Sequence, residues 1–317
     1  MLKILFLGTS GSMPTVARSL PSILIKRDGE AILFDCGEGT QRQMMRCRAG
    51  INLSSVFITH WHADHFLGLP GLIHTMSFQN RSDKLVVYGP RWAGIPNLFA
   101  LTKPQFEVDF VEVSPGDLIE LGSFFVEVFT VDHGTNSYGY MFEERERPGK
   151  FNRETAEEFG LKPGPLYKTL QDGESVSVGG RVIAPEQVIG PTRPGRKIVY
   201  TGDTRPSDHV VRAAENADLL VHEATLATDL KEYAKTVGHS TAAEAAQVAQ
   251  RAGVLTLLLT HISSRYANTT QLLEEARLIF PNTFVAEDLL ELEVHYKDRL
   301  EHTKIKRTGR MSTCDVL

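Results

Sequence analysis

The sequence predicts an α/β fold in which helices cover a sheet whose strand ends carry metal-binding side chains. Three observations predict it. Short apolar runs rich in Val, Ile, Leu and Phe alternate with helix-like stretches along the 317 residues. Two of the runs, Leu219-Leu220-Val221 and Leu255 to Leu259, are nearly continuous in apolar residues, as strands covered on both faces are. Four runs, finally, end on histidine or aspartate.

In chain order, Met1-Leu2-Lys3-Ile4-Leu5-Phe6-Leu7-Gly8 is too short for a signal core and turns at once into Thr9-Ser10-Gly11-Ser12, so it reads as the first strand. Ala31 to Asp35 is a strand, followed by a helix from Gln41 to Arg48. Val56-Phe57-Ile58-Thr59 is a strand that delivers His60-Trp61-His62-Ala63-Asp64-His65 to a loop. Val128 to Asp132 leads in the same way into His133, Ile198 to Gly202 into Asp203, and Leu255 to Thr260 into His261. Helices are expected at Pro206 to Asn216, at Thr241 to Ala252 and at Thr269 to Phe280. Ser240 or Thr241 caps the second, with Glu244 three residues on, and Gly253 and Pro281 stop the last two.

One segment breaks this rhythm. From about 143 to 197 the chain is rich in Pro, Gly and charge, as in Arg147-Pro148-Gly149-Lys150 and Lys162-Pro163-Gly164-Pro165. A long excursion between two ligand strands is a functional or mobile insertion rather than a domain boundary. Its charge is nearly balanced, because Glu154, Glu157 and Glu158 lie among the basic residues.

His60, His62, Asp64, His65, His133, Asp203 and His261 make seven potential ligands at one sheet edge. Imidazole with carboxylate suits zinc, manganese or iron rather than calcium. Spacing supports two sites. His60 and His62, two apart in extended backbone, point the same way, while Asp64 and His65 follow as the chain turns.

Composition bounds the rest. A hydrophobic content of 42% is ordinary for a globular protein, and no apolar stretch approaches the roughly 20 residues that cross a bilayer. Cys36, Cys47 and Cys314 form no metal-type pair, and their odd count argues against a disulfide framework, which fits a reducing cytoplasm. The ending Cys314-Asp315-Val316-Leu317 has the length of a prenylation box, but Asp315 is not aliphatic. A net charge of −5 means that any nucleic-acid contact must use a local basic patch. Lys297, Arg299, Lys304, Lys306, Arg307 and Arg310 offer one, read here as a solvated charged tail over 297–317.

His-x-His-x-Asp-His at 60–65 is the hallmark of the metallo-β-lactamase fold. Asp35-Cys36-Gly37-Glu38-Gly39-Thr40-Gln41, Gly202-Asp203-Thr204, His222-Glu223-Ala224-Thr225 and His239-Ser240-Thr241 narrow the resemblance to the ribonuclease Z branch. It runs from residue 1 to about Tyr296. It implies an αββα four-layer sandwich over 1–296, with the 143–197 segment as an inserted flexible arm that grips tRNA. It implies a cytoplasmic homodimer, with no membrane association, that removes the 3′ trailer from precursor tRNA. The tRNA keeps a 3′-hydroxyl and the trailer a 5′-phosphate. The family's Pro-x-Lys-x-Arg-Asn loop reads here Pro14-Thr15-Val16-Ala17-Arg18-Ser19; proline and arginine remain, lysine and asparagine do not.

The resemblance also assigns roles. His60, His62 and His133 would hold one Zn2+ and Asp64, His65 and His261 a second, with Asp203 bridging and Mn2+ or Fe2+ as alternatives. Asp64 would double as proton acceptor, and His239, oriented by Glu223, would protonate the leaving group. The competing roles for His239 are a helix cap or a phosphate contact. His222 and Asp35 are each either support for a ligand or core residues, and His74, His209, His295 and His302 have no motif context. The alternative functions are a small-molecule hydrolase acting on a phosphodiester, thioester or lactone at the same dinuclear site, and a non-catalytic RNA-binding protein.

Overall fold

The structure is a computed structural model that describes residues 1–91, 102–296 and 303–307. Two large sheets dominate it. In the first, the strands run in the order Thr303–Arg307, Leu290–Val294, Leu2–Gly8, Ser22–Arg27, Glu30–Phe34, Ser55–Phe57, Leu85–Gly89, Val108–Glu112. In the second, the order is Thr283–Val285, Leu257–Thr260, Leu219–Glu223, Lys197–Tyr200, Tyr138–Glu144, Phe124–Thr130, Leu118–Leu121. The run Leu2–Gly8 is thus an interior strand, antiparallel to Leu290–Val294 on one side and Ser22–Arg27 on the other.

Apolar patterning alone cannot pair two sheets; ring contacts do. Phe34 and Phe57 of the first sheet meet Tyr140 of the second at centroid distances of 5.7 and 5.3 Å, and Phe34 also stacks on Tyr200 at 5.9 Å. All four rings are buried, and each contributes about 1.5–3 kcal/mol by burial. Their polar tips are satisfied at the sheet ends: Tyr140 donates to the Ile58 carbonyl at 2.6 Å, and Tyr200 to Asp35 Oδ2 at 2.8 Å.

Helices cover the outer faces. Met44 of helix Thr40–Arg46 and Leu69, Leu72, Ile73 and Met76 of helix Leu69–Phe78 pack on Leu5, Leu33, Val56 and Val87 of the first sheet. Helix Ala242–Ala252 lies along Leu219–Glu223 and Leu257–Thr260 of the second. Helix, sheet, sheet and helix make the four-layer metallo-β-lactamase sandwich. Thr241 and Glu244 form a reciprocal capping box, and Gly253, at φ 63°, closes the helix.

Three helices are shorter than their patterns suggest. The first spans Thr40–Arg46, the second Asp208–Ala213 after an Ser207 cap, and the third Thr270–Arg277. Asn216, at φ 54°, turns the chain toward the next strand before the second helix can extend.

The chain divides into two compact units. One comprises Met1–Leu121, Val126–Phe142 and Arg196–Leu317; the other comprises Gly122–Phe125 and Glu143–Gly195. The second has structure that its Pro- and Gly-rich composition hid: helices Arg153–Glu158 and Pro165–Gln171, a hairpin of Val176–Val178 with Arg181–Ile183, and a core of Ala156, Leu161, Leu170, Val176, Ile183 and Val188. Phe151 pairs with Ile189 within it.

The charged tail is not wholly tail. Thr303–Arg307 pairs antiparallel with Leu290–Val294, because the strand Leu290–Val294 would otherwise leave an unpaired edge. Lys297, Arg299, His302, Arg310 and Cys314 lie outside the described residues. No helix among the described residues is long and apolar enough to cross a membrane.

Candidate metal centre

Strand Ser55–Phe57 is hydrogen-bonded on both sides by parallel neighbours, so its exit is held rigidly. The chain stays extended to His62, at φ −72° and ψ 143°, and a single helical turn, Ala63–Phe66, then redirects Asp64 and His65. From the other sheet, Gly202 turns the chain so that Asp203 enters the centre. Its φ of 60° and a Cβ that would lie 2.8 Å from the Thr59 side chain leave no room for another residue. His261 itself has φ 56°, a left-handed conformation that costs about 1–3 kcal/mol and that the surrounding structure must hold.

These turns bring all seven residues together. His60 Nε2 lies 2.9 Å from His62 Nδ1, which lies 3.3 Å from His133 Nε2. Asp203 Oδ2 is 3.8 Å from His60 Nε2, 3.7 Å from His133 Nε2 and 3.4 Å from His65 Nε2. Its other oxygen, Oδ1, is 3.2 Å from His261 Nε2. Asp64 Oδ2 stands 3.6 Å from His65 Nε2 and 3.5 Å from His261 Nε2. Three sets able to hold a cation result among the described residues: His60, His62, His133 and Asp203 in one, Asp64, His65 and His261 in the second, and Asp203, His239 and His261 in a third that overlaps them. Asp203 faces both of the first two.

The rings are held from behind. His133 Nδ1 donates to the Gly238 carbonyl at 2.8 Å, His65 Nδ1 lies 2.8 Å from Asp35 Oδ2, and His60 Nδ1 and His261 Nδ1 lie 3.0 and 2.8 Å from Thr59 and Thr225 Oγ1. Outer nitrogens that are hydrogen-bonded leave inner nitrogens as lone-pair donors. His65 Nε2, His261 Nε2 and Asp203 Oδ1 are buried and have no hydrogen-bond partner. Unpaired buried polar atoms are costly, and three within one cluster of imidazoles and carboxylates fit divalent cations.

Electrostatics agree. Burial opposes charge on Asp203 and Asp64, but His261 and His65 outweigh it and hold both carboxyls well below the usual range. Burial likewise opposes charge on His65, yet Asp203 and Asp35 hold it well above an ordinary histidine. His60 is pushed well below by burial and then by its neighbour His65. Two ionised carboxylates among crowded imidazoles make a pocket that favours added positive charge.

Beside the cluster, His239 Nδ1 lies 2.8 Å from Glu223 Oε1 and 4.0 Å from Asp203 Oδ2. Burial would depress His239, but the Glu223 carboxylate raises it to about 9. The helix cap is Thr241, so capping is not the role of His239. Asp35 is fully buried, at φ 55°, and accepts from the Thr59 N–H at 2.8 Å as well as facing His65 and Tyr200. His222 is a buried strand residue whose Nδ1 donates to the Glu223 carbonyl at 2.7 Å. His74 packs edge-on against Phe78, and His209 accepts from Arg212.

Sequence reading passed over four contributors: Thr59, Thr225, Tyr200 and the Gly238 carbonyl. Thr59 directly precedes the His60–His65 cluster and Thr225 closes the His222-Glu223-Ala224-Thr225 motif, which is a signal. Tyr200 has none, being 165 residues from Asp35.

Residues 184–262 match the family described as "Beta-lactamase superfamily domain", and residues 2–94 match "Anti-Pycsar protein Apyc1". The chain is similar to a ribonuclease Z of Methanosarcina acetivorans, 49% identical over 94% of this chain and 99% of the relative. One from Archaeoglobus fulgidus is 48% identical with the same coverage, 94% and 99%. Among solved structures, the short form of human tRNase Z superposes with a TM-score of 0.66 at 28% identity, covering 91% of this chain and 98% of that one. The metallo-β-lactamase fold protein YhfI of Bacillus subtilis superposes at 0.68 and 20% identity, covering 92% and 98%, a likeness of fold.

Proposed function

The chain belongs to the ribonuclease Z family, and from that premise we propose that it is a metal-dependent endoribonuclease that removes the 3′ trailer of precursor tRNA. The observation that carries the reading is the His239–Glu223 pair, whose Nδ1 lies 4.0 Å from Asp203 Oδ2. The 3′ oxygen of a nucleotide is a poor leaving group, so a protonated imidazole beside the cation cluster suits RNA cleavage.

Two zinc ions per chain, with manganese or iron(II) as alternatives, would sit on His60, His62 and His133 and on Asp64, His65 and His261, with Asp203 shared. When bound, such cations supply Lewis acidity toward phosphoryl oxygens and make water more acidic. Asp64, half-buried at the cluster rim, accepts the proton of the attacking water. The new P–O bond forms as the bond from phosphorus to the tRNA 3′ oxygen breaks. Glu223 engages His239 Nδ1, so Nε2 delivers the proton to that oxygen. The products are a 3′-hydroxyl on the tRNA and a 5′-phosphate on the trailer.

The unit Glu143–Gly195 is the tRNA-gripping arm in this proposal. Arg153, Lys162, Lys168 and Arg181 are exposed on it, which supports phosphate contacts. The proposal extends to a homodimer and to the cytoplasm.

The test is one precursor tRNA with a labelled trailer. Cleavage near the discriminator base with a 3′-hydroxyl and a 5′-phosphate is expected. A 2′,3′-cyclic phosphate would make the RNA's own 2′-hydroxyl the nucleophile and overturn the mechanism.

A further inference from the structure

Glu223 is fully buried and surrounded by donors. Oε1 accepts from the Thr204 N–H at 3.0 Å and faces His239 Nδ1 at 2.8 Å; Oε2 accepts from the Thr225 N–H at 3.2 Å and the Thr225 hydroxyl at 2.6 Å. A carboxylate so placed only accepts, so the one proton of Thr225 Oγ1 is committed to Oε2. His261 Nδ1 sits 2.8 Å from Thr225 Oγ1, while His239 Nδ1, which faces Glu223 Oε1, lies 3.4 Å from the same hydroxyl. Since Oγ1 has no second proton to give, His261 must carry its own hydrogen on Nδ1 and donate it. Its lone pair is then on Nε2, the buried and unpartnered atom 3.2 Å from Asp203 Oδ1 and 3.5 Å from Asp64 Oδ2.

We propose that Thr225 is a positioning residue whose single hydroxyl acts on two groups at once, holding His261 in the tautomer that binds a cation through Nε2 and holding Glu223 in the orientation that seats His239. The inference rests on the reading of His261 as a cation ligand given above. The other sheet repeats the arrangement. Thr59 Oγ1 lies 3.0 Å from Asp35 Oδ2 and 3.0 Å from His60 Nδ1, so a carboxylate, a threonine and a ligand histidine stand in the same order there. An ordinary buried threonine satisfies its hydroxyl on a backbone carbonyl one turn or one strand away. Both of these threonines instead bond site side chains.

The test uses the full-length protein and the pair Thr225→Val and Thr225→Ser, with His261→Ala as reference. Zinc affinity is measured by competition with a chelator, and kcat and KM on precursor tRNA are measured separately. T225V should weaken one zinc by about 10–100-fold and lower kcat more than KM changes, while T225S restores both. Wild-type zinc affinity and kcat in folded T225V overturn the proposal, as does a T225S variant as impaired as T225V, since packing would then matter and not the hydroxyl. If H261A also keeps both zincs, the reading of His261 fails instead; loss in H261A alone isolates the failure to Thr225. Independently of any variant, nitrogen–proton NMR of the zinc-loaded wild type should show His261 protonated at Nδ1. Protonation at Nε2 overturns the proposal.

Discussion

His239 Nδ1 lies 2.8 Å from Glu223 Oε1, and that contact couples the end of strand Leu219–Glu223 to the loop before helix Ala242–Ala252, 16 residues on, at the edge of the cation cluster. It raises His239 to about 9, against the pull of burial, so the ring is protonated at neutral pH. His239→Ala should slow precursor-tRNA cleavage by roughly 10²–10⁴-fold and leave metal content intact. Bis-p-nitrophenyl phosphate, whose phenolate hardly needs a proton, should lose far less. Equal losses on both substrates would assign His239 to phosphate binding.

The same contact sets a pH dependence. The active form is the protonated one, so kcat is sustained below the folded pKa and falls as pH rises through it. Cations beside His239 lower its value from about 9, which places the alkaline limb of the kcat profile below pH 9. That limb should vanish in His239→Ala. A limb that survives the substitution belongs to another group.

Asp203→Ala should weaken cation binding at both the His60, His62, His133 set and the Asp64, His65, His261 set, because Oδ2 faces His60, His133 and His65 while Oδ1 faces His261. Stripping wild-type protein with a chelator should lower its Tm, since a ligand bound only to the folded state stabilises it. The same treatment should move the variant much less. One cation retained at full occupancy with normal activity would show that Asp203 does not bridge a catalytic pair.

Asp35→Asn should cost both affinity and stability. Asp35 accepts from Thr59 and Tyr200 and fixes His65, and an amide in its place turns its own donors on theirs. A loss of about 10–100-fold in affinity for one cation is expected, with about 1–3 kcal/mol of stability for each donor left unpaired. Chelator competition and denaturant midpoints check the two effects. An unchanged affinity would make Asp35 a core residue only.

Replacing the segment between Phe151 and Ile189 by a short Gly/Ser connection should damage tRNA processing far more than hydrolysis of a small phosphodiester. Phe151 and Ile189 already pair, so a short link spans the gap, and all seven ligands lie outside it. Loss of Arg153, Lys162, Lys168 and Arg181 should also flatten the salt dependence of binding. Unchanged KM and salt dependence on precursor tRNA would make the segment a plain surface insertion.

What the sequence by itself determined was local. The strand-end placement of His60 to His65, His133, Asp203 and His261, the Thr241–Glu244 cap and the stop at Gly253 all follow from patterns a few residues long, because strand exits and caps are short-range physics. Only the tertiary structure decided which nitrogen of each histidine faces inward, since that depends on partners such as Asp35, Gly238 and Thr225 from other elements. It also paired the two sheets through Phe34, Tyr140 and Tyr200, and gave Glu143–Gly195 a core of its own that Pro and Gly content concealed. Hydrogen bonds require placement to a few tenths of an ångström, and only packing between segments distant in the chain supplies it.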